Sequence, residues 1–403
     1  LQLLPKLTLI HRSERIELTL LLFLHGMSLA SWFVPMGMVL EAASLRWLIP
    51  FAFAASAIAA LLSPLFFGAM ADRSVPPIRV LRWLAFGSAF FALAVGLGIL
   101  NGYPGWLIWI GIQLQSLLSI PTNSLTGSIV LSRLSHSHSQ FGSIRAWGTI
   151  GWMVGCWLVS LLHLDKQPVV FLWSAGLWVV LGLFTLMLPV GDALPDAQKP
   201  LTLRERFGLD ALALLIHPGH RVVFLTVAMI SVPFAAFYPY TPAHLSDLGL
   251  QRISAWMSLG QVLEVGVLFA IGAILSRFGF KRVIAMGLIC GILRYALYAV
   301  DTSWGVLTGI ALHGFAYTFT YISAQLYLAE RIKVQWRTRA QALLSMMTGG
   351  VGNLTGYLLT GGWLAICEYE GVTSWTTFWL GLCSLVVLVT IYFARSEIER
   401  NKT

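Results

Sequence analysis

Twelve apolar runs, each near the ~20 residues a helix needs to cross a hydrocarbon core, fill most of this 403-residue sequence. Lipid offers no water to satisfy backbone N–H and C=O groups, so only helices and closed barrels can span it. Barrel strands read as alternating segments of about ten residues. These runs are longer and apolar throughout. They lie at about 17–40, 46–70, 80–99, 104–132, 141–163, 168–189, 219–245, 253–275, 283–299, 303–329, 339–366 and 373–394. Charged residues make up 11% of the chain, against about 25% in a typical soluble domain, so most of the chain has no water-facing side. The expected fold is all-α and integral to the membrane, with twelve transmembrane helices. Leu1–Leu9 lacks the small-residue cleavage site of a secretory signal, so the first run is expected to remain as a span.

The longest gap, 190–218, is polar and Pro-containing, and it divides the spans six and six. The expected organisation is an N-terminal six-helix bundle (1–189), a cytoplasmic linker (190–218) and a C-terminal six-helix bundle (219–403). Leu209–Ile216 reads as a short interfacial helix. Gly68-Ala-Met-Ala-Asp-Arg73 follows span two, and Gly272-Ala-Ile-Leu-Ser-Arg-Phe-Gly-Phe-Lys-Arg282 follows span eight. This echo between halves is the parallel-repeat plan of many secondary transporters.

With both termini on the cytoplasmic side, 21 of the 26 Lys and Arg residues fall on that side. Arg46, Lys166 and Arg252 fall opposite, and Arg145 and Arg294 lie within spans. That asymmetry is the positive-inside signal. It also accounts for the net charge of +9 as topology, not as a nucleic-acid footprint.

Polar side chains inside the runs are the candidate site. Glu264 is the carboxylate that no membrane face or loop accommodates, and an acid at mid-membrane costs roughly 2.5–3.5 kcal/mol on insertion scales. Gln261, three residues earlier, shares its helix face. On span five, Arg145, Thr149 and Trp152 form one stripe that could bond and stack a flat polar ring. The alternative for Arg145 is a snorkelling side chain near the membrane face. Gly148, Gly151 and Gly155 offer a small surface for close helix approach. On span ten, His313 and Tyr317 are one turn apart, and His313 could relay a proton or simply be a satisfied polar contact. In span seven, Phe237-Tyr-Pro-Tyr-Thr-Pro242 predicts a kink whose freed carbonyls line a cavity, with Tyr238 in its wall. Ile120-Pro-Thr-Asn-Ser-Leu125 predicts a second kink in span four. His25 and Trp32 share a face of span one, and Arg294 is a candidate to balance an acid.

No nucleophile–base set, HExxH motif, Cys-His ligand set or P-loop stands out, so the chain does not read as an enzyme, and no cofactor or metal is expected. The four cysteines lack metal-ligand spacing and read as packing residues.

Phe141-Gly-Ser-Ile-Arg-Ala-Trp-Gly-Thr-Ile-Gly-Trp152 resembles the signature of the nucleoside:proton symporter family, a branch of the major facilitator superfamily. Gln261-x-x-Glu264 with Ser276-Arg-Phe-Gly279, Ile292-Leu-Arg-Tyr295, His313-Gly-x-x-Tyr317 and Arg339-Ala-Gln-Ala342 match the same family in order. The resemblance implies proton-coupled nucleoside uptake by alternating access across the bacterial inner membrane. Arg145, Thr149, Gln261 and Glu264 would contact substrate, and Trp152, His313 and Tyr317 would line the same pocket. Glu264 would carry any coupled proton. Two positions depart from the family. Relatives commonly carry an Asp directly after the span-ten aromatic, where this chain has Thr318. Characterised nucleoside carriers offer amides in span seven, where Ala235 and Tyr238 stand here. The expected partners are a nucleoside or similar polar solute, a proton and the lipid bilayer, for a monomeric carrier. An uncoupled facilitator, an exporter of another small polar solute, and a non-transporting membrane sensor with the same fold are the alternatives.

Overall fold

Proline and glycine decide where the apolar runs break. The computed structural model describes residues 12–71, 75–133, 137–189, 202 and 209–397. In the first half, α1 (Arg12–Phe33) and α2 (Met36–Ala42) form one traversal, interrupted at Pro35. α3 (Ile49–Ala71) and α4 (Pro77–Leu100) are continuous. α5 (Gly105–Ser119) and α6 (Thr122–Arg133) meet at Pro121, as expected for span four, and α7 (Ser137–Leu161) and α8 (Val169–Met187) complete the half.

The second half repeats the plan. α9 (Pro218–Phe234) and α10 (Phe237–Asp247) make span seven. Its break falls at Ala235–Ala236, one turn before the two prolines predicted to cause it. The reason is steric: a proline ring clashes with the carbonyl four residues earlier, and for Pro239 that carbonyl is Ala235. Pro239 then sits in the first turn of α10, where a missing N–H costs nothing. α11 (Ile253–Met257) leads into α12 (Leu259–Ala299), where Gly279, at φ +77°, turns the chain from span eight to span nine. α13 (Ser303–Tyr317), a π-helical turn (Thr318–Ile322) and α14 (Ser323–Arg331) form span ten. α15 (Val334–Ser345), a second π turn (Met346–Gly352) and α16 (Asn353–Ile366) form span eleven. A two-residue hairpin, β1 (Glu368–Tyr369) with β2 (Val372–Thr373), precedes α17 (Trp375–Arg395).

Counted this way, the described residues make twelve traversals. By length and hydropathy alone, seven helical stretches qualify as spans, one of them covering spans eight and nine. Spans four, five, ten and eleven are not among them, and each of these four contributes polar side chains to the cavity described below. The outer surface is apolar, with Phe90, Met187, Phe269 and Leu388 all more than half exposed; it is a lipid-facing surface rather than a wetted one. Most of the expected linker, and Asp72 and Arg73 of the repeated motif, lie outside the described residues. Leu209–Ile216 is helical, as a 3₁₀ rather than an α turn, and Asp210 pairs with Arg339 at 2.6 Å.

Two features position the site. First, α1 and α7 touch through backbone. A Cβ on Gly26 would lie 2.1 Å from the Gly148 carbonyl, and one on Gly151 would lie 2.1 Å from the Phe23 carbonyl. The glycine surface predicted on span five therefore meets span one. Second, the halves are pinned together at the end opposite the termini. Asp165 accepts the Ser254 N–H at 2.7 Å and the Ser160 hydroxyl at 3.1 Å. Ser160 in turn accepts the Ala255 N–H at 2.9 Å, so the N-terminal end of α11 is capped from the other half. Trp157 donates to Ser258 at 2.9 Å and Lys166 to Ser246 at 2.6 Å. Arg46 reaches Thr373 at 2.6 Å and Glu368 at 3.7 Å.

Candidate functional site

A cavity of about 520 Å³ lies between the halves, within the range of small-molecule pockets. All eight residues singled out in the sequence line it: Arg145, Thr149, Trp152, Tyr238, Gln261, Glu264, His313 and Tyr317. The first three project from α7, so the stripe expected on span five faces inward. Arg145 is exposed to the cavity. Gln261 and Glu264 project from α12 on the opposite wall. Arg145 acts electrostatically on Glu264, with no direct ion pair between them.

The α12 wall is set by contact with α13. A Cβ on Gly314 would lie 2.4 Å from the Glu264 nitrogen and 2.5 Å from the Gly260 carbonyl. Only glycine lets span ten press this closely against the turn that carries Gln261 and Glu264. Gln261 Nε2 donates to the Tyr238 hydroxyl at 3.2 Å. Its Oε1 is buried and has no partner among the described residues, an acceptor left for a ligand. Tyr238 thus stands in the span-seven wall and orients the Gln261 amide.

The closed end of the cavity is aromatic. Phe33 packs edge-on against Trp152 at 6.2 Å and Tyr238 at 5.3 Å. Trp152 and Tyr238 lie 5.9 Å apart. Such edge-to-face packing is favourable for ring pairs, and it forms a floor beneath which the pinned contacts lie. Toward the other end the lining continues through Leu22, Asn123 and Gln325.

His313 stacks flat on Phe237, with ring centres 4.0 Å apart. Arg294 does not balance an acid as the sequence suggested. It is fully buried, with Nη1 2.7 Å from His313 Nδ1 and Nη2 donating to the Tyr295 hydroxyl at 2.6 Å. Tyr295 donates onward to the Pro233 carbonyl at 2.5 Å, a group at the span-seven break. The guanidinium carbon lies 4.3 Å from the Phe234 ring centre and 4.4 Å from that of Tyr295, so π faces stand where a carboxylate was expected. Thr318 is buried, and its hydroxyl has no partner among the described residues.

His25 lines the cavity and contacts Thr122 at 2.7 Å. Phe33, Asn123, Gln325 and Asn353 also line it but were not singled out. Asn353 had a readable signal, an amide following the Gly349-Gly-Val-Gly run within an apolar span. Phe33 had none, since one phenylalanine in an apolar run looks like any other.

Two six-helix halves around a polar, aromatic-floored cavity, pinned at one end, define a secondary transporter of the major facilitator fold. The model for the nucleoside H+ symporter family matches residues 13–399, and the chain belongs to that family. It is 30% identical to the putative nucleoside transporter YegT of Escherichia coli K12, over 95% of this chain and 94% of that protein. It is 27% identical to the xanthosine permease of the same organism, over 85% of each. A crystal structure of a mutant of the nucleoside transporter NupG matches with a TM-score of 0.85 at 25% identity, covering 94% of this chain and 98% of that one.

Proposed function

We propose that this protein carries nucleosides inward together with protons, by alternating access between residues 1–189 and 219–403. The observation that carries the reading is the cavity itself. It joins one half-buried carboxylate, Glu264, an unpartnered Gln261 acceptor, an opposing Arg145 and aromatic walls at Trp152 and Tyr317. Such a set suits a neutral solute with an aromatic ring and several hydroxyls. Glu264 and Gln261 bond ribose hydroxyls or base edges, Arg145 and Thr149 hold the other end, and Trp152 and Tyr317 stack. Family membership and the names of the relatives support the substrate class.

Glu264 is the proton site in this reading. Ionised, it offsets the Arg145 charge across the cavity; protonated, it releases Arg145 for the substrate, and the carrier reorients with proton and substrate both bound or with neither. The protein acts as a monomer in the bacterial inner membrane with both termini cytoplasmic, as the distribution of Lys and Arg supports. The pinned end then faces outward.

The test is uptake of labelled uridine and adenosine into transport-deficient cells, with and without a collapsed proton gradient. Accumulation that vanishes with the gradient supports symport. Equilibration that persists unchanged supports an uncoupled facilitator, the second reading, which Thr318 favours because relatives commonly carry an Asp there. Absence of both, with ligand-induced thermal stabilisation of the purified protein, supports a sensor.

A further inference from the structure

Arg294 is fully buried behind His313 and Phe237 of the cavity wall, a cation with no anionic partner among the described residues. Its fixed charge carries a heavy desolvation cost, so its contacts should have a use. A guanidinium has only N–H donors and cannot accept. The His313 Nδ1 that faces Arg294 Nη1 at 2.7 Å can therefore only accept, and must be bare. A neutral imidazole with bare Nδ1 carries its hydrogen on Nε2. His313 lines the cavity, and its Nε2 has no protein partner among the described residues and is not among the buried unsatisfied atoms. Phe237, stacked on it with an interplanar angle of 6°, holds the plane of the ring, and the Arg294 contact sets which edge of it faces span nine.

We propose that Arg294 is a positioning residue that holds His313 as a fixed N–H donor toward the substrate. The site then demands a hydrogen-bond acceptor at that point, a carbonyl oxygen or an unprotonated ring nitrogen. His313 takes no part in carrying the proton. This deepens the nucleoside reading and rests on it for the substrate. It also divides the cavity by chemistry: Gln261 Oε1 accepts on one wall, and His313 Nε2 donates beside it. A substrate edge with a donor next to an acceptor fits this pair, and an edge with donors alone does not.

The groups around the ring favour the fixed state. Arg294 and Tyr295 lie on span nine, Phe237 and Tyr238 on span seven, Gln261 and Glu264 on span eight, and Tyr317 one turn along span ten; Arg145 faces them from the other half. A second proton on His313 would sit on Nδ1, pointing directly at an Arg294 N–H. Glu264 lies across the turn and is the group left free to take a proton.

The experiment measures uridine uptake in proteoliposomes from about pH 5 to pH 8, the range in which a free histidine titrates. His313→Gln keeps an N–H donor and should leave the shape of the pH profile unchanged. His313→Leu should raise KM about tenfold, as for loss of one hydrogen bond to a buried group. Arg294→Met removes the lock and should add a new pH-dependent step in KM. That step should disappear in Arg294→Met with His313→Gln, and Arg294→Lys, which still donates, should restore the original profile. A pH profile altered by His313→Gln alone, or unaltered by Arg294→Met, overturns the proposal. Because Arg294→Met can fail to fold, a second measurement uses the unaltered protein. In ¹⁵N spectra of histidine-labelled protein, the resonance lost in His313→Gln should show bare Nδ1 and protonated Nε2 throughout the range. Protonated Nδ1, or titration of that resonance, overturns it. These spectra need no substrate, so failure to bind any nucleoside would sink the substrate reading and leave the tautomer decided separately.

Discussion

Glu264 and Arg145 are two opposite charges that one cavity keeps from pairing. A direct salt bridge would leave neither free for a ligand; held apart, each retains unused bonding capacity. Glu264→Gln should abolish accumulation and flatten the pH dependence of uptake while leaving counterflow exchange measurable. In the unaltered protein, uptake should rise as the outside is acidified, because protons load the carboxylate from that side. Wild-type-like accumulation by Glu264→Gln across a pH series would remove it from coupling. Arg145→Ala should raise the half-saturation concentration for uridine by about ten- to a hundredfold, the cost of a charge-assisted hydrogen bond; normal affinity would remove the clamp. At this scale the sequence was highly legible. A polar side chain in an apolar run is expensive, so each one stands out, and Arg145, Gln261, Glu264 and His313 all line the cavity. What could not be read was pairing. Arg294 and His313 are 19 residues apart, and nothing in either helix pattern says that one guanidinium edge meets one ring nitrogen.

The breaks in the helices do the work of aiming these side chains. Pro239 forces span seven apart at Ala235–Ala236, and at that break the Pro233 carbonyl accepts both the Ala236 N–H and the Tyr295 hydroxyl. Pro239→Ala removes the clash with the Ala235 carbonyl and should straighten the span. The expected result is a large loss of transport rate with near-normal thermal stability, read by uptake and by thermal unfolding in detergent. The α1–α7 seam behaves oppositely. Gly151→Leu places side-chain atoms where the Phe23 carbonyl already lies. It should cost about 1–3 kcal/mol or more in stability as an overpacking substitution, with a lowered unfolding temperature. A mutant as stable as the parent would mean the seam yields. Proline breaks were legible to within a turn. The π turns at Thr318–Ile322 and Met346–Gly352 were not, since a π turn is a shift of hydrogen-bond register by one residue and has no residue signature of its own. Both fall in spans that line the cavity, where such turns re-aim the side chains that follow.

The two halves meet as separate bodies, and contacts at one end hold them in one posture. Lys166→Cys with Ser246→Cys, bridged by a flexible thiol cross-linker, should stop uptake and leave binding of uridine to the purified protein intact. Uptake that survives complete cross-linking would show that this end need not open. The twelve spans and the six–six division were legible because lipid permits few solutions. The posture was not, because the same residues serve every state of an alternating carrier, and it is cross-half contacts such as that of Asp165 with Ser254 that distinguish this one. That pairing also bears on measured affinity. If a solute arriving from outside can bind only the fraction of carriers whose outer end is open, its apparent dissociation constant is the intrinsic one divided by that fraction. Asp165 is therefore a gain setting for the whole carrier. Asp165→Ala, which uncaps α11, should lower the external concentration needed for half-maximal uptake without altering a single group that touches the nucleoside.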